Sequence, residues 1–169
     1  MPDILIECNA DEVAAKFNRA AKEIPDDVLM PVGEKLGDEA LKLYRSTTKT
    51  WSHSVVFEKI VNVQGSTVEV LVGTDDFIYG IVNDGSRPHT ITARNAPVLA
   101  FQANYAPKTT PGSLQSRRGG ASGPMVFAKS VRHPGTQARK FTEKIKELID
   151  KKAPSELKRQ VGRWVRKLK

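Results

Sequence analysis

The chain is poor in cysteine and has no long apolar run, and each shortage excludes a class of protein. Its one cysteine, Cys8, rules out an internal disulfide and a zinc site made of several cysteines. No apolar stretch approaches the roughly 20 residues that a membrane-spanning helix requires. The first residues, MPDILIECNADE, are acidic and lack the basic segment that opens a signal peptide. We therefore expect a protein that is made inside the cell and has no membrane partner.

Groups of residues that would catalyse a reaction or hold a metal are also missing. The three histidines, His53, His89 and His133, show none of the spacings typical of metal ligands on a helix. No nucleophile-elbow sequence is present, and the glycines at 119 and 120 lack the GK[ST] of a phosphate loop. The aspartate pairs at 26–27 and 75–76 precede apolar helical patterns, which favours helix capping over acid–base chemistry. The sequence therefore predicts a protein that is not an enzyme and needs no metal or cofactor.

Positive charge is present in excess and is concentrated in the last third of the chain. Residues 117–169 hold 16 Lys/Arg and 4 Asp/Glu, whereas residues 1–116 hold 11 Lys/Arg and 15 Asp/Glu. This asymmetry favours a polyanionic neighbour or an acidic face on a protein partner. An ordinary solvated helical surface explains the same charges equally well.

The hydrophobic periodicity begins as helical. A short apolar run at residues 3–7 is compatible with an edge strand, and Asn9 or Asp11 can cap a helix that ends at Pro25. A second helix starts at residues 26–27, and its apolar positions run from Val28 to Tyr44. Two glycines, at 33 and 37, lie inside this helix. Because each costs about 1 kcal/mol relative to alanine, we expect another element to approach closely there.

The period then changes to two. Residues 55–63 and 67–72 alternate apolar and polar side chains around Gln64-Gly65-Ser66, which predicts a β-hairpin with a three-residue turn. A short helix after Asp76 follows, with Phe77, Ile78, Ile81 and Val82 on its buried side. Short strands are expected at 90–92, 98–101 and 126–131. The intervening residues 102–123 show no period, and we expect them to form a long, flexible hairpin loop.

The C-terminal part is predicted as two helices. Thr136 can cap the first, whose inward positions would be Phe141, Ile145, Leu148 and Ile149. Pro154 would begin the second, with Leu157, Val161, Trp164, Val165 and Leu168 on its apolar face. The predicted fold is therefore α+β, with a small antiparallel sheet packed against N-terminal and C-terminal helices. We expect one domain at 1–152 and a basic helical extension at 153–169.

Basic side chains of the loop and of the last helix are the candidates for contact with DNA or a protein partner. They are accompanied by one tryptophan in the helix. The candidates are Arg117, Arg118, Lys158, Arg159, Arg163, Trp164, Arg166 and Lys167. The helix could lie on a nucleic acid or a membrane surface, but packing of Trp164 onto the domain is the simpler interpretation.

Three linked segments carry a family resemblance: GIVNDGSRPHTI, NAPVLAFQ and MVFAKSVRHPGT. Over residues 77–142 the chain resembles the tail-completion proteins (also called head–tail joining, neck or minor tail proteins) of long-tailed bacteriophages and prophages. The matching pattern comprises a tyrosine in a short helix, an acidic residue before Gly-Ser, and Arg-Pro-His. It continues with a Leu-x-Phe strand, and then a Phe-Ala-Lys strand that leads to His-Pro-Gly-Thr before the last helix. The arginine-bearing loop is longer than in the family pattern, and the basic C-terminal helix is additional.

The resemblance implies a non-enzymatic structural protein of the virion that completes the tail and joins it to the head. It implies assembly in the host cytoplasm as a homo-oligomeric ring, expected to be hexameric. The ring's neighbours would be a connector or stopper and a tail terminator or tube, with DNA in the channel. The motif residues would then be structural: Gly85, Arg87, Pro88, His89, His133, Pro134, Gly135 and Thr136. A basic DNA-binding module that uses the 102–123 loop and the last helix is the alternative function.

Overall fold

The computed structural model describes residues 25–167 of the chain. The predicted edge strand, the first predicted helix, Cys8 and Leu168 lie outside this range. Within it, three helices and three two-stranded antiparallel sheets confirm the α+β class. No helix of residues 25–167 is both long enough and apolar enough to cross a membrane.

A long helix and a β-hairpin form the first half of the fold. A π-helical turn, Pro25–Leu29, runs into α1, Met30–Thr48, and is followed by β1, Glu58–Gln64, and β2, Thr67–Gly73. Half-buried and exposed residues alternate along both strands, because one face of the hairpin lies on α1. The predicted hairpin is confirmed, although its turn has two residues, because Gln64 pairs with Thr67.

The two glycines of α1 allow the hairpin to lie close to the helix. A Cβ atom at Gly33 would be 2.6 Å from Val61 Cγ1 and from Val68 Cγ2. A Cβ atom at Gly37 would be 2.6 Å from Lys59 Cδ. Both distances are far shorter than ordinary carbon–carbon contacts, so the predicted close approach is confirmed.

A group of ion pairs links the hairpin to α1 at the edge of this contact. Lys59 Nζ donates to Asp38 Oδ1 at 2.6 Å and also to a carboxylate oxygen of Glu34. These hydrogen bonds, with that to Asp38 the stronger, raise the pKa of Lys59 above its ordinary value. Because both carboxylates are exposed, the group adds little to stability.

The core is centred on a tyrosine of the short helix α2, Phe77–Asp84. Asp76 caps this helix as predicted, and its Oδ1 accepts a hydrogen bond from Tyr79 N at 2.7 Å. The Tyr79 ring lies 5.2 Å from that of Phe57, 5.8 Å from that of Phe141 and 6.1 Å from that of Tyr44, measured between centroids.

The predicted buried face of α2 is wrong at Phe77 and Ile78, whereas Ile81 is half-buried and Val82 packs against the core. Phe77 is 78% exposed and Ile78 is 51% exposed, whereas Tyr79 and Asn83 are buried. The reason is that Tyr79 completes the aromatic core, and Asn83, one turn later, faces the start of the last helix. Asn83 Oδ1 accepts a hydrogen bond from Thr142 N at 3.1 Å.

The last helix, α3, spans Phe141–Lys167 and lies against α1 and the preceding π-helical turn. Phe141 and Ile145 are almost fully buried, as predicted, but Leu148 is exposed. The predicted cap at Thr136 is wrong, because Thr136 lies five residues before the helix and Asn83 caps it instead.

The predicted break at Pro154 is also wrong, because α3 is continuous through this residue. A proline inside a helix removes one hydrogen bond, and α3 has buried residues on both sides of Pro154, at Ile145 and at Trp164. Glu156 and Trp164 face inward, and Glu156 binds Lys35 of α1 at 2.7 Å. The predicted apolar face is therefore turned outward at three positions, which are Leu157, Val161 and Val165. The expected domain boundary at 152/153 falls inside this helix.

Four strands between α2 and α3 form a long two-stranded ribbon in two parts. β3, His89–Thr92, pairs with β6, Ser130–His133, and β4, Leu99–Ala106, pairs with β5, Gly120–Ala128. Six residues, 93–98, lie opposite the single residue 129 and separate the two parts. The predicted loop at 102–123 is therefore shorter than expected: its ends are strand, and the loop proper is 107–119.

Candidate functional site

The ribbon, residues 89–106 and 120–133, starts from an antiparallel β-bridge between two turns, at Ser86 and Thr136. We refer to this bridge as the crossing. Ser86 N donates to Thr136 O at 2.8 Å and Thr136 N donates to Ser86 O at 3.1 Å. A glycine with positive φ lies on each side: Gly85 at 82° and Gly135 at 86°. A Cβ at Gly135 would be 2.3 Å from Ser86 O, so this crossing requires glycine.

The two motif histidines face each other directly above the crossing. His89 and His133 are register partners in the β3–β6 pair, and their ring centroids are 5.0 Å apart. His89 Nδ1 donates to Arg87 O at 2.9 Å, and His133 Nδ1 accepts from Gly135 N at 3.1 Å. Both rings thus bond to the backbone of the turns. Pro88 and Pro134 lie in those turns and are exposed.

The far end of the ribbon, the tip loop 107–119, returns to the body of the protein. Ser46 Oγ at the end of α1 donates to Leu114 O at 2.7 Å, and Ser116 N donates to Ser46 O at 3.2 Å. Arg139 Nε donates to the buried Thr109 Oγ1 at 3.3 Å. The ribbon is therefore fastened to the same molecule at both ends.

Between these two attachments the ribbon is almost uncovered. Seven of eight residues in β4 and six of nine in β5 are exposed. The exposed side chains include large apolar ones: Phe127 is 66% exposed, Met125 54% and Tyr105 68%. A two-stranded ribbon has marginal stability by itself in water, and exposed apolar patches of this kind mark contact surfaces.

A second apolar surface lies on the outer face of the β1–β2 hairpin. Here Ile60 and Leu71 are register partners, each about half exposed, and Val56 lies beside them. They line an open groove of about 520 Å³ whose other lining residues include Glu58 and Asp75. We refer to this surface as the groove. Its charged lining residues are both acidic.

The ribbon and its attachments carry the opposite charge. Between Asp84 and Glu143 the sequence contains nine Lys/Arg and no Asp or Glu. In contrast, residues 25–84 contain ten Asp/Glu and five Lys/Arg. The structure thus separates charge between two regions, a basic ribbon and a more acidic body around α1 and the hairpin.

The predicted contact residues do not form one cluster. Arg117 and Arg118 are exposed on the tip loop, where Arg117 Nε donates to Pro107 O at 3.2 Å. Trp164 is buried, which agrees with the packing interpretation, and Arg159 is held by Glu156. The remaining predicted residues on α3 are exposed to solvent: Lys158, Arg163, Arg166 and Lys167.

No candidate metal-binding grouping is found in the described part of the chain. No set of three or more His, Cys, Asp or Glu side chains among residues 25–167 is close enough to hold a metal ion. His53 Nε2 lies 3.2 Å from Asp76 Oδ2, but Asp76 is occupied as the cap of α2. No family model, curated protein or solved structure matches this chain.

Burial affects one further ionisable group, Tyr79 in the core. Its hydroxyl makes no hydrogen bond within the described residues, since the nearby Thr47 hydroxyl donates to Tyr44 O instead. Burial raises the pKa of Tyr79 above its ordinary value. Because Tyr79 lies among aromatic rings, we assign it to packing.

Two features of the site escaped sequence reasoning. One is the acid-free stretch between Asp84 and Glu143, which a finer count of charges along the chain would have detected. The other is the return of the tip loop to Ser46, 68 residues away from Leu114. No local pattern encodes a contact over that distance.

Proposed function

We propose that this protein is a structural component of a phage or prophage virion that completes the tail at the neck and joins it to the head. It acts as one subunit of a homo-oligomeric ring and performs no catalysis. Its partners are further copies of itself, a connector or stopper on the head side and a terminator or tube on the tail side.

The observation that carries this proposal is the ribbon, which is fastened at both ends and uncovered in the middle. A monomeric protein gains nothing from exposing Met125, Phe127 and Tyr105 on a two-stranded ribbon. A ring subunit gains from this exposure, because neighbouring subunits bury the exposed apolar side chains. The resemblance supports the same function, since its Gly-Ser and His-Pro-Gly-Thr segments form the crossing that holds the ribbon base, and its Arg-Pro-His segment leads from the crossing into β3.

The proposal is tested in the phage or prophage that encodes the chain. We expect the protein in purified virions by mass spectrometry. Deletion of its gene should leave DNA-filled heads and separate tails by electron microscopy, and the wild-type gene supplied in trans should restore joined particles. Normal virions from the deletion strain would refute the proposal.

A second candidate function, DNA binding, is favoured by the nine Lys/Arg without any acid between Asp84 and Glu143. Contact with several phosphates would give an affinity for duplex DNA that falls steeply with salt. Arg118→Ala and Lys158→Ala would each reduce the salt slope by about one if these residues touch phosphates. The absence of binding at low salt would eliminate this candidate.

A further inference from the structure

We propose that the ribbon of one copy docks into the groove of a second copy, so that each subunit carries both halves of a head-to-tail contact. This inference rests on the proposed ring and adds to it the two surfaces that form the subunit contact.

The apolar side chains of the two surfaces are complementary. Met125 and Phe127 are two residues apart on β5 and therefore project from the same face of the ribbon. Ile60 and Leu71 are paired across the hairpin and form the floor of the groove. Interface cores consist of such aromatic and aliphatic side chains inserted in a matching depression.

The charges around these apolar centres are also complementary. Glu58 and Asp75 line the groove, and Glu69 lies on the same outer face as Leu71. On the ribbon the charged residues are all basic: Arg94, Lys129 and Arg132. Opposite charges at an interface rim accelerate association and fix the orientation of the partners.

None of the described ribbon residues lines the groove of its own molecule, so the complementary ribbon that would fill it comes from a second copy. Its base is held at Ser86 and Thr136, and its tip is held at Ser46. Both attachments would have to break for the middle of the ribbon to swing onto β1 and β2. A contact between two different surfaces of one chain repeats from copy to copy, which closes a ring when the rotation is suitable.

The test uses the full chain and native mass spectrometry. Phe127→Ser damages the ribbon and Leu71→Ser damages the groove, while Val161→Ser, an exposed position on α3, is the matched control. We expect the control to form the wild-type ring and each site variant to be monomeric, with a dissociation constant at least about 30-fold higher.

Mixing the two site variants is the decisive step. The Phe127→Ser copy keeps an intact groove and the Leu71→Ser copy keeps an intact ribbon, so one productive contact remains. We expect a one-to-one heterodimer and no larger species. Failure of the mixture to form this heterodimer overturns the proposal.

Charge reversal provides a second test that leaves the apolar side chains in place. Lys129→Glu and Glu58→Lys should each weaken assembly at least about 10-fold, and the double variant should recover most of the loss. Glu143→Lys on α3 is the control and should assemble normally. If the double variant assembled as weakly as the two single variants, a contact between Lys129 of one copy and Glu58 of the next would be refuted.

The outcomes distinguish this inference from the proposed function. If the wild type forms a ring and Phe127→Ser forms it equally well, the ring stands and the docking proposal is overturned. If Phe127→Ser keeps the ring but loses salt-sensitive DNA binding, the ribbon binds nucleic acid and the docking proposal is again overturned. A wild type that remains monomeric with and without its neck partners refutes both.

Discussion

Replacing Gly33 with alanine tests the close packing of α1 against the β1–β2 hairpin. The new methyl group would lie 2.6 Å from Val61 Cγ1 and from Val68 Cγ2. Both neighbours are β-branched residues on strands, and their χ1 angles have little freedom. Overpacking of this kind costs about 1–3 kcal/mol, while the higher helix propensity of alanine returns about 1 kcal/mol.

We therefore expect Gly33→Ala to lower the free energy of unfolding by about 1 kcal/mol. Gly37→Ala should be close to neutral, because its nearest obstacle is the Lys59 side chain, which can move aside, and Val70 Cγ1, at 3.2 Å, needs only a small shift. Gly162→Ala in α3 meets nothing within 4 Å and should raise the free energy of unfolding by about 1 kcal/mol.

The three variants can be compared by urea unfolding followed through tryptophan fluorescence. The order of stability should be Gly162→Ala, then Gly37→Ala, then Gly33→Ala. If Gly33→Ala were as stable as Gly162→Ala, the packing of the hairpin on the helix would be looser than described, and the reasoning would be refuted.

Three further substitutions test the core and the ribbon base. Asn83→Ala removes the side-chain cap of α3 and should cost about 1 kcal/mol in thermal or urea unfolding, whereas Asn62→Ala, exposed on β1, should cost little. Tyr79→Phe removes a buried hydroxyl without a hydrogen-bond partner, so stability at pH 7 should be unchanged or higher by up to about 1 kcal/mol. The pKa of Tyr79 is raised in the folded state, so the folded protein resists ionisation of this side chain. Tyr79 therefore leaves the free energy of unfolding unaffected by pH below about pH 10 and lowers it at higher pH. Tyr79→Phe should therefore lessen alkaline destabilisation, while Tyr105→Phe, an exposed position, should not. Gly135→Ala would place a methyl group 2.3 Å from Ser86 O at a φ of 86°. We therefore expect the free energy of unfolding to fall by more than about 2 kcal/mol, or the variant to fail to fold. A variant with wild-type stability would contradict the requirement for glycine at the crossing.

Local patterns predicted the elements whose partners are close in sequence. The alternation in β1 and β2 is visible because one face of the hairpin lies on α1. The cost of Gly33 and Gly37 inside a helix indicated a close neighbour, and Asp76 was identifiable as a cap. Each of these depends on residues within one or two elements.

Features set by distant contacts were not predictable. The eight-residue helix α2 is too short for its apolar residues to define one face, so Phe77 and Ile78 were placed in the core instead of Tyr79. The course of α3 through Pro154 is accompanied by contacts with α1 that are distant in sequence, such as the pairing of Glu156 with Lys35, 121 residues away. Tertiary packing overrides local propensity in both cases.

The central claim is that copies of this chain form a ring at the neck of a virion. Native mass spectrometry of the purified full-length protein, alone and with its neck partners, tests it most directly. We expect one closed species of defined stoichiometry, six copies by the family resemblance, that electron microscopy shows as a ring. A protein that stays monomeric at every concentration and in the presence of every neck partner would contradict the claim.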